Sequence, residues 1–269
     1  MTTSFEHDSR NLAQTYDRVS DLQFEGGKQL VERLGLDEGA RVLDVGCGTG
    51  RLTHWIAERV GTKGAVTGID PLEERIQIAR SHGGAVGFEV GQAEDLGAFE
   101  DASFDAVCMS SVFHWVADKP KSLAEVRRVL RPGGRLGVTT SPHELARAGT
   151  VRRVLEPLLA RGPYAGRVDH SKLTFAKGGC TTTDLVLLVL QSGLELVELH
   201  VMQNTQTHAS GEALVAFIEA SAFGTFLRPI PEDLRSPLRA DLVAAFDAQR
   251  GPEGVALRNW GVLFIATRV

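Results

Sequence analysis

The chain has 269 residues, of which 43% are hydrophobic and 23% charged, a composition typical of globular proteins with a sizeable core. Its formal net charge of -5 argues against broad binding to nucleic acid, which favours a basic surface. Its three scattered cysteines do not fit a disulfide framework, no apolar run is long enough to span a membrane and no N-terminal signal pattern is visible, so we expect a reduced, cytoplasmic protein without nucleic-acid or membrane partners.

Two helices are predicted before the first strand. Residues 11–21 form a short helical pattern that carries Tyr16 and Asp17. Residues 26–34 form a second one, with Leu30 and Leu34 on its apolar face.

The next segment, residues 42–50, has the sequence VLDVGCGTG. Its apolar half predicts a buried strand, and a helical pattern with Leu52 and Ile56 on one face follows it. Glycines in such a loop permit unusual backbone angles and a close approach to a ligand, while the free N–H groups of the following helix point outward. The loop glycines are Gly46, Gly48 and Gly50.

The spacing of these glycines narrows the class of ligand. A P-loop would need Gly-Lys-Ser/Thr, which is absent. A dinucleotide fingerprint would need a glycine at the position of Arg51, so binding of a nicotinamide cofactor is disfavoured.

Strands and helices alternate through the first half of the chain, which predicts a parallel sheet with helices on both faces. Ligands of such sheets bind at the carboxyl ends of the strands. The predicted strands cover residues 42–45, 65–69, 86–90, 104–109 and 135–139, and the predicted helices between them include residues 71–81 and 118–130.

The alternation stops after Pro142. Two long strands, residues 194–207 and 255–269, are expected to complete a mostly parallel, seven-stranded, doubly wound α/β sheet. We expect residues 141–193 and 208–250 to form a helical cap over its ligand edge. The predicted cap helices cover residues 151–160, 185–191, 211–220 and 232–249.

The acidic residue Asp44 followed by Gly-x-Gly-x-Gly resembles the first motif of the class I S-adenosylmethionine-dependent methyltransferases, and the resemblance covers residues 35–140. It implies a Rossmann-like fold, a single domain over residues 1–269, a cofactor-binding half over residues 35–140 and a helical flap over residues 1–34. In that flap Tyr16 would contact the cofactor or take part in catalysis, and packing alone is an equally good interpretation.

The resemblance also implies residues that bind S-adenosylmethionine and its product S-adenosylhomocysteine. Asp44 would brace the glycine-loop amides and orient the amino group of the methionine moiety. Asp70, at the end of the second strand, would accept hydrogen bonds from ribose hydroxyls, although Asp70-Pro71-Leu72-Glu73 also fits a helix capping box. The cofactor set is Tyr16, Asp44, Gly46, Cys47, Gly48, Gly50, Asp70, Pro71, Gln92, Ala93, Glu94 and Ser110.

The loop after the third strand departs from the family pattern. Members often carry Gly-Asp-Ala-Glu, whereas this chain has Gln92 in place of the aspartate. A glutamine oxygen can still accept from the adenine amine, and Glu94 or Asp95 could substitute for it.

The segment after the fourth strand, Ser110 to Val116, is similar to the corresponding segment of small-molecule methyltransferases of the trans-aconitate type. His114 stands where that group has glutamine, and its imidazole could accept a proton from an acceptor. An orienting or packing role is the alternative, because methyl transfer often needs only alignment. His114, Trp115 and Phe223 are the predicted acceptor-pocket residues.

We therefore expect methyl transfer to a small organic acceptor by a monomer or homodimer that binds no metal. The alternative is a non-catalytic S-adenosylmethionine-binding protein with regulatory or assembly functions. An acceptor pocket that His114 faces would favour the enzyme, and a pocket filled by cap side chains would favour the binding protein.

Overall fold

The computed structural model describes residues 10–146, 149–169, 180–222 and 226–269. Its strands are β1 (Arg41–Val45), β2 (Ala65–Asp70), β3 (Gly87–Val90), β4 (Phe104–Ser110), β5 (Leu130–Thr140), β6 (Leu194–His208) and β7 (Val255–Arg268). Its helices are α1 (Arg10–Val19), α2 (Asp21–Leu34), α3 (Arg51–Val60), α4 (Glu73–Ser81), α5 (Lys119–Val129), α6 (His143–Ala146), α7 (Thr150–Leu159), α8 (Thr182–Gln191), α9 (Gly211–Ser221) and α10 (Glu232–Asp247).

The strands in the described part of the chain form one seven-stranded sheet in the order β3-β2-β1-β4-β5-β7-β6. The first five strands are parallel, β7 is antiparallel to β5, and β6 is antiparallel to β7. The predicted α/β, mostly parallel and doubly wound fold is thereby confirmed. The parallel strands place their carboxyl ends, and the loops that follow them, along one edge of the sheet.

Helices cover both faces of the sheet because each presents one apolar stripe. On one face, α2 and α3 pack through Leu30, Leu34 and Ile56. On the other, α5 and α8 pack through Leu123 and Val189. The contact of α2 with β5 is so close that a Cβ on Gly137 would lie 2.8 Å from the Leu34 side chain.

A second core lies at the ligand edge. There α7, α9 and α10 pack against one another and against the first residues of β7, through buried side chains such as Leu158, Leu214, Leu242 and Leu257. This is the region expected to form the cap, and the division into flap, cofactor half and cap stays a prediction.

Several element boundaries differ from the predicted ones. Helix α2 begins at Asp21 rather than near residue 26, because Gly26 and Gly27 are accommodated inside it. A Cβ on Gly27 would lie 2.7 Å from a methyl carbon of Leu52, so the small residue permits close packing of α2 on α3. Strand β5 begins directly after α5, with a register shift before Arg135.

The capping-box interpretation of Asp70 is wrong. Helix α4 begins at Glu73, its N-cap is Leu72, and no side chain caps it. The Asp70 carboxylate instead accepts a hydrogen bond from the Leu72 amide, at 3.0 Å, within the turn before the helix.

Two features are absent from the described ranges, namely a helix able to span a membrane and a cluster of metal-ligating side chains. None of their helices combines the length and apolar character that a membrane span needs. Within the same ranges, no group of three or more His, Cys, Asp or Glu side chains is arranged to hold a metal ion.

Candidate functional site

The glycine loop between β1 and α3 adopts the backbone that its glycines predict. Gly46, Gly48 and Gly50 all have positive φ, at 75°, 57° and 83°. Two of them also make room for neighbouring side chains. A Cβ on Gly46 would lie 2.2 Å from a methyl carbon of Val112, and one on Gly50 would lie 2.7 Å from the Phe88 ring.

We expect Gly46→Ala to lower the free energy of unfolding by about 2–3 kcal/mol, because it adds left-handed strain to a clash with Val112. Chemical denaturation measures the change. Gly83→Ala is the matched control, since Gly83 has φ of 72° but open space around its Cβ position, and should cost about 1 kcal/mol. Equal losses in the two variants would contradict the clash, as would a failure of Val112→Ala to rescue part of the Gly46→Ala loss.

The loop amides are held by groups other than Asp44. The Gly46 and Cys47 amides donate to the Ile69 carbonyl at 2.7 and 2.9 Å, and the Gly48 amide donates to the Asp70 carboxylate at 3.0 Å. Asp70 therefore braces the loop, and the prediction that Asp44 accepts from the loop amides is wrong.

Asp44 is buried beneath the loop and accepts a hydrogen bond from the Thr53 hydroxyl at 2.7 Å. Burial raises the pKa of its carboxyl to about 7, against the lowering effect of that hydrogen bond, and the nearby Asp70 raises it further. A positively charged ligand group beside this carboxylate would lower its pKa again, because an opposite charge favours the ionised form.

We expect Asp44→Asn to raise the free energy of unfolding by about 2 kcal/mol at pH 8. The folded protein binds the Asp44 proton more tightly than the unfolded chain, so wild-type stability falls as pH rises from about 4 to about 7. The neutral asparagine removes that loss and still accepts from Thr53. Urea titrations at pH 5 and pH 8 measure the difference, with the exposed Asp95→Asn as control. A variant no more stable than wild type at pH 8 would contradict the buried charge.

Cys47, in the same loop, is a buried filler. Its Sγ donates to the Gly48 carbonyl at 3.7 Å, and burial raises the pKa of the thiol well above its usual value. A thiol in that state is a poor nucleophile.

Arg51 stands where a dinucleotide-binding fingerprint would have its third glycine, and it connects the first two helices to the start of α3. Its guanidinium donates to the Asp17 carbonyl at 3.1 Å and to the Asp21 carboxylate at 2.7 Å, and it lies 4.9 Å from the centre of the Phe24 ring. The junction between α1 and α2 is thereby held beside the helix N-terminus that follows the loop.

Tyr16 lies above the glycine loop. A Cβ on Gly48 would lie 3.5 Å from its ring, and the Arg75 guanidinium stacks 4.4 Å from the centre of that ring. Burial raises the pKa of the Tyr16 phenol, against the lowering effect of Arg75, so it is neutral at pH 7. Arg75 also donates to the Ala220 carbonyl at 3.4 Å, which links α4 to the end of α9.

The loop after β3 is held against the start of α5. Glu94 accepts hydrogen bonds from the Ala117 and Asp118 amides at 2.8 and 3.2 Å. Ala93 is buried in the core and Gln92 is exposed. These three residues do not line the cavity described below.

The loop after β4 turns sharply at Ser111, whose φ of 60° is uncommon for a residue with a side chain. Its amide donates to the Thr139 carbonyl and hydroxyl, at 3.0 and 2.9 Å, and these bonds hold the strained turn. The turn carries His114 and Trp115, whose rings lie 5.1 Å apart.

His114 is half-buried, and its Nδ1 lies 3.3 Å from the Thr140 hydroxyl. Burial, with a smaller effect of the nearby Lys119 ammonium, lowers the pKa of its imidazole to about 4. The ring is therefore neutral at pH 7, and one of its nitrogens has a free lone pair to accept a proton.

A cavity of about 680 Å³ joins these groups. From the predicted set, it is lined by Tyr16, Gly46, Gly48, Asp70, Pro71, Ser110, His114 and Trp115. Asp44, Cys47 and Gly50 are buried and do not line it. Phe223 lies outside the described residues.

The opposite wall of the cavity was not predicted. It contains polar residues of α2, β6 and β7. Among them, Asn204 of β6 pairs directly with Asn259 of β7. The alternating pattern of residues 194–207 predicted the strand, but no motif marked its end as part of a site.

A known protein family matches the parallel part of the sheet. A family profile described as "Methyltransferase domain" matches residues 43–138, from β1 into β5. Methyltransferase GfsG of Streptomyces halstedii is 32% identical over 218 residues, which cover 76% of this chain and 67% of the relative.

Other relatives match a shorter part. The ubiquinone/menaquinone biosynthesis C-methyltransferase UbiE of Hahella chejuensis is 37% identical over 137 residues, which cover 47% of this chain and 55% of the relative. The chain spans about half the length of several such curated relatives.

Solved structures share the fold at low identity. The YcgJ protein of Bacillus subtilis superposes with a TM-score of 0.62 at 17% identity, covering 91% of this chain and 98% of the other. At 17% identity, this superposition shows a shared fold alone.

Proposed function

Because the chain belongs to the S-adenosylmethionine-dependent methyltransferases, we propose that it transfers a methyl group from S-adenosylmethionine to a small organic acceptor. One observation carries the proposal. A single cavity reaches from the glycine loop and Asp70 to His114 and Trp115, so cofactor-side and acceptor-side groups share one space.

The residues present fit this cofactor. The Asp70 carboxylate lines the cavity at the carboxyl end of β2, where it can accept from ribose hydroxyls, since a carboxylate offers about four lone-pair sites. Gly48 presents bare backbone to the cavity beneath Tyr16. The Asp44 carboxyl lies below the loop, where a positively charged group of the cofactor would favour its ionised form. When bound, S-adenosylmethionine supplies a methyl group activated by a positively charged sulfur.

The remaining residues position the acceptor. Trp115 provides an aromatic wall, and Tyr16 with the α1–α2 junction excludes water above the glycine loop. His114, held at Nδ1 by Thr140, can take a proton from an acceptor hydroxyl or amine at Nε2. This requires the tautomer in which Nδ1 carries the hydrogen and donates it to the Thr140 oxygen.

The cavity favours the enzyme over a non-catalytic binding protein. The cap side chains that the structure describes leave a volume of about 680 Å³ open, and His114 lies on its surface. A binding protein would need the adenosyl half of the cavity alone.

Calorimetric titration with S-adenosylmethionine, S-adenosylhomocysteine and NADH tests the cofactor. We expect both adenosyl ligands to bind and NADH not to. Binding of NADH alone, or of none of the three, would refute the proposal. Adenosyl binding without formation of S-adenosylhomocysteine across a panel of hydroxyl, amine, thiol and carbon acceptors would favour the non-catalytic alternative.

A further inference from the structure

A lysine occupies an energetically costly position beside the candidate acceptor site. Lys119 is the first residue of α5, yet only 6% of its surface is exposed. Burial disfavours the ammonium and lowers its pKa, since lysine ordinarily keeps its charge in water. The N-terminus of a helix carries a partial positive charge, so a cation there meets a second cost. A charge kept in place against both costs indicates a role beyond stability.

Two contacts of this ammonium lie on either side of His114. The Lys119 Nζ donates a hydrogen bond to the Val116 carbonyl at 2.7 Å, and it lies 5.6 Å from the centre of the Phe113 ring. Phe113 directly precedes His114, and Val116 directly follows Trp115. The ammonium therefore anchors both ends of the two-residue segment that carries the imidazole and the aromatic wall.

The electrostatic surroundings of the ammonium also act on His114. Against the effect of burial, the nearby Cys180 thiol and Glu94 carboxylate raise the pKa of Lys119. The pKa of the His114 imidazole is lowered to about 4, by burial first and by the Lys119 ammonium second. His143 of α6 also lines the cavity, and its amide donates to the Cys180 carbonyl at 3.0 Å. Lys119 is thus the cation whose charge opposes protonation of His114.

We infer that Lys119 is a positioning residue for the proposed reaction: its ammonium holds the His114–Trp115 segment in one orientation and keeps the imidazole uncharged. A like charge disfavours protonation of a neighbouring group, and it does so most strongly where water is excluded. Lys119 is not among the described residues that line the cavity, so it acts through His114. The inference rests on the proposed function, because Lys119 has this task only if His114 receives the proton of the acceptor.

NMR of the full chain with nitrogen-15-labelled histidine, without ligand, measures the protonation and the tautomer of His114 directly. His114→Gln identifies its signals among the eight histidines. We expect the wild-type imidazole to stay neutral from pH 8 to pH 5, with its hydrogen on Nδ1. Lys119→Met keeps an unbranched side chain but removes the charge and the donor. It should raise the pKa of His114 by about 1, so that the ring is about half protonated at pH 5, and should populate both tautomers.

A second variant separates the two tasks of the ammonium. Lys119→Gln keeps an N–H donor without the charge, so it should raise the pKa of His114 in the same way while the single tautomer persists. Lys121→Met is the matched control, because Lys121 lies on the same helix but is exposed, and its loss should change neither readout. Thermal unfolding verifies that each variant is folded.

A His114 pKa that stays at the wild-type value in Lys119→Met and Lys119→Gln would overturn the inference. So would a single tautomer in folded Lys119→Met, or an equal change of either readout in Lys121→Met. These measurements need no cofactor. Failure of S-adenosylmethionine and S-adenosylhomocysteine to bind in calorimetry would instead refute the proposed function, whatever Lys119 does to His114.

Discussion

Asp70→Ala is expected to weaken binding of S-adenosylmethionine and S-adenosylhomocysteine about 100- to 1000-fold. A charged carboxylate that accepts two ribose hydroxyls contributes about 1.5–3 kcal/mol through each hydrogen bond. The same substitution removes the acceptor of the Gly48 amide, so the loop also loses a brace. Calorimetry gives the dissociation constants, and thermal unfolding of the apo protein reports the loss of the brace separately.

An analogue separates the ribose contact from loop bracing. If Asp70 accepts from the ribose, wild type should discriminate against the dideoxy-ribose analogue of S-adenosylhomocysteine, and Asp70→Ala should not. Asp95→Ala is the matched control. Asp95 also accepts from an amide two residues later, that of Gly97 at 3.2 Å, but lies outside the cavity lining. Discrimination that survives in Asp70→Ala would show that the carboxylate acts through the loop alone.

The cofactor half of the site was predictable because its signals are local. Gly46, Gly48 and Gly50 are needed where a strand turns into a helix within a few residues, and each has the positive φ that only glycine adopts freely. Asp70 was recognisable as a candidate because it stands at the end of the next predicted strand. The clashes that forbid a side chain at Gly46 and Gly50 are not visible in the sequence, because Val112 approaches from the loop after β4 and Phe88 from β3.

The acceptor half depends on contacts between distant segments. Asn204 and Asn259 share one wall only because β6 and β7 pair in one particular register. The presence of Arg51 where a dinucleotide site needs glycine was visible in the sequence. Its hydrogen-bond partners in the α1–α2 junction were not, because they depend on how those helices pack. Bracing of the glycine-loop amides was predicted for Asp44, whereas the Gly48 amide donates to Asp70, because both carboxylates lie near the carboxyl ends of adjacent strands beside the same loop.

His114 can be tested by replacement with glutamine, the residue that the similar methyltransferases carry at this position. A glutamine keeps hydrogen-bonding capacity toward Thr140 but cannot accept a proton at pH 7. If His114 is a general base, His114→Gln should lower kcat about 100- to 1000-fold while KM changes little. Retention of kcat within about threefold would show that the side chain orients the acceptor without taking its proton.

The pH dependence of kcat provides a second readout that orientation alone would not change. Burial lowers the pKa of His114 to about 4, so its free nitrogen gains a proton only as pH falls through that value. If the neutral His114 imidazole is the general base, kcat should stay level from pH 8 to about 6 and fall toward pH 4. The profile should show no midpoint near the ordinary histidine pKa of about 6.5. His114→Gln should abolish this acid limb. Thr140→Val should shift it, because the variant removes the hydroxyl that contacts Nδ1. An acid limb that persists unchanged in His114→Gln would assign the titration to another group and leave His114 with positioning alone.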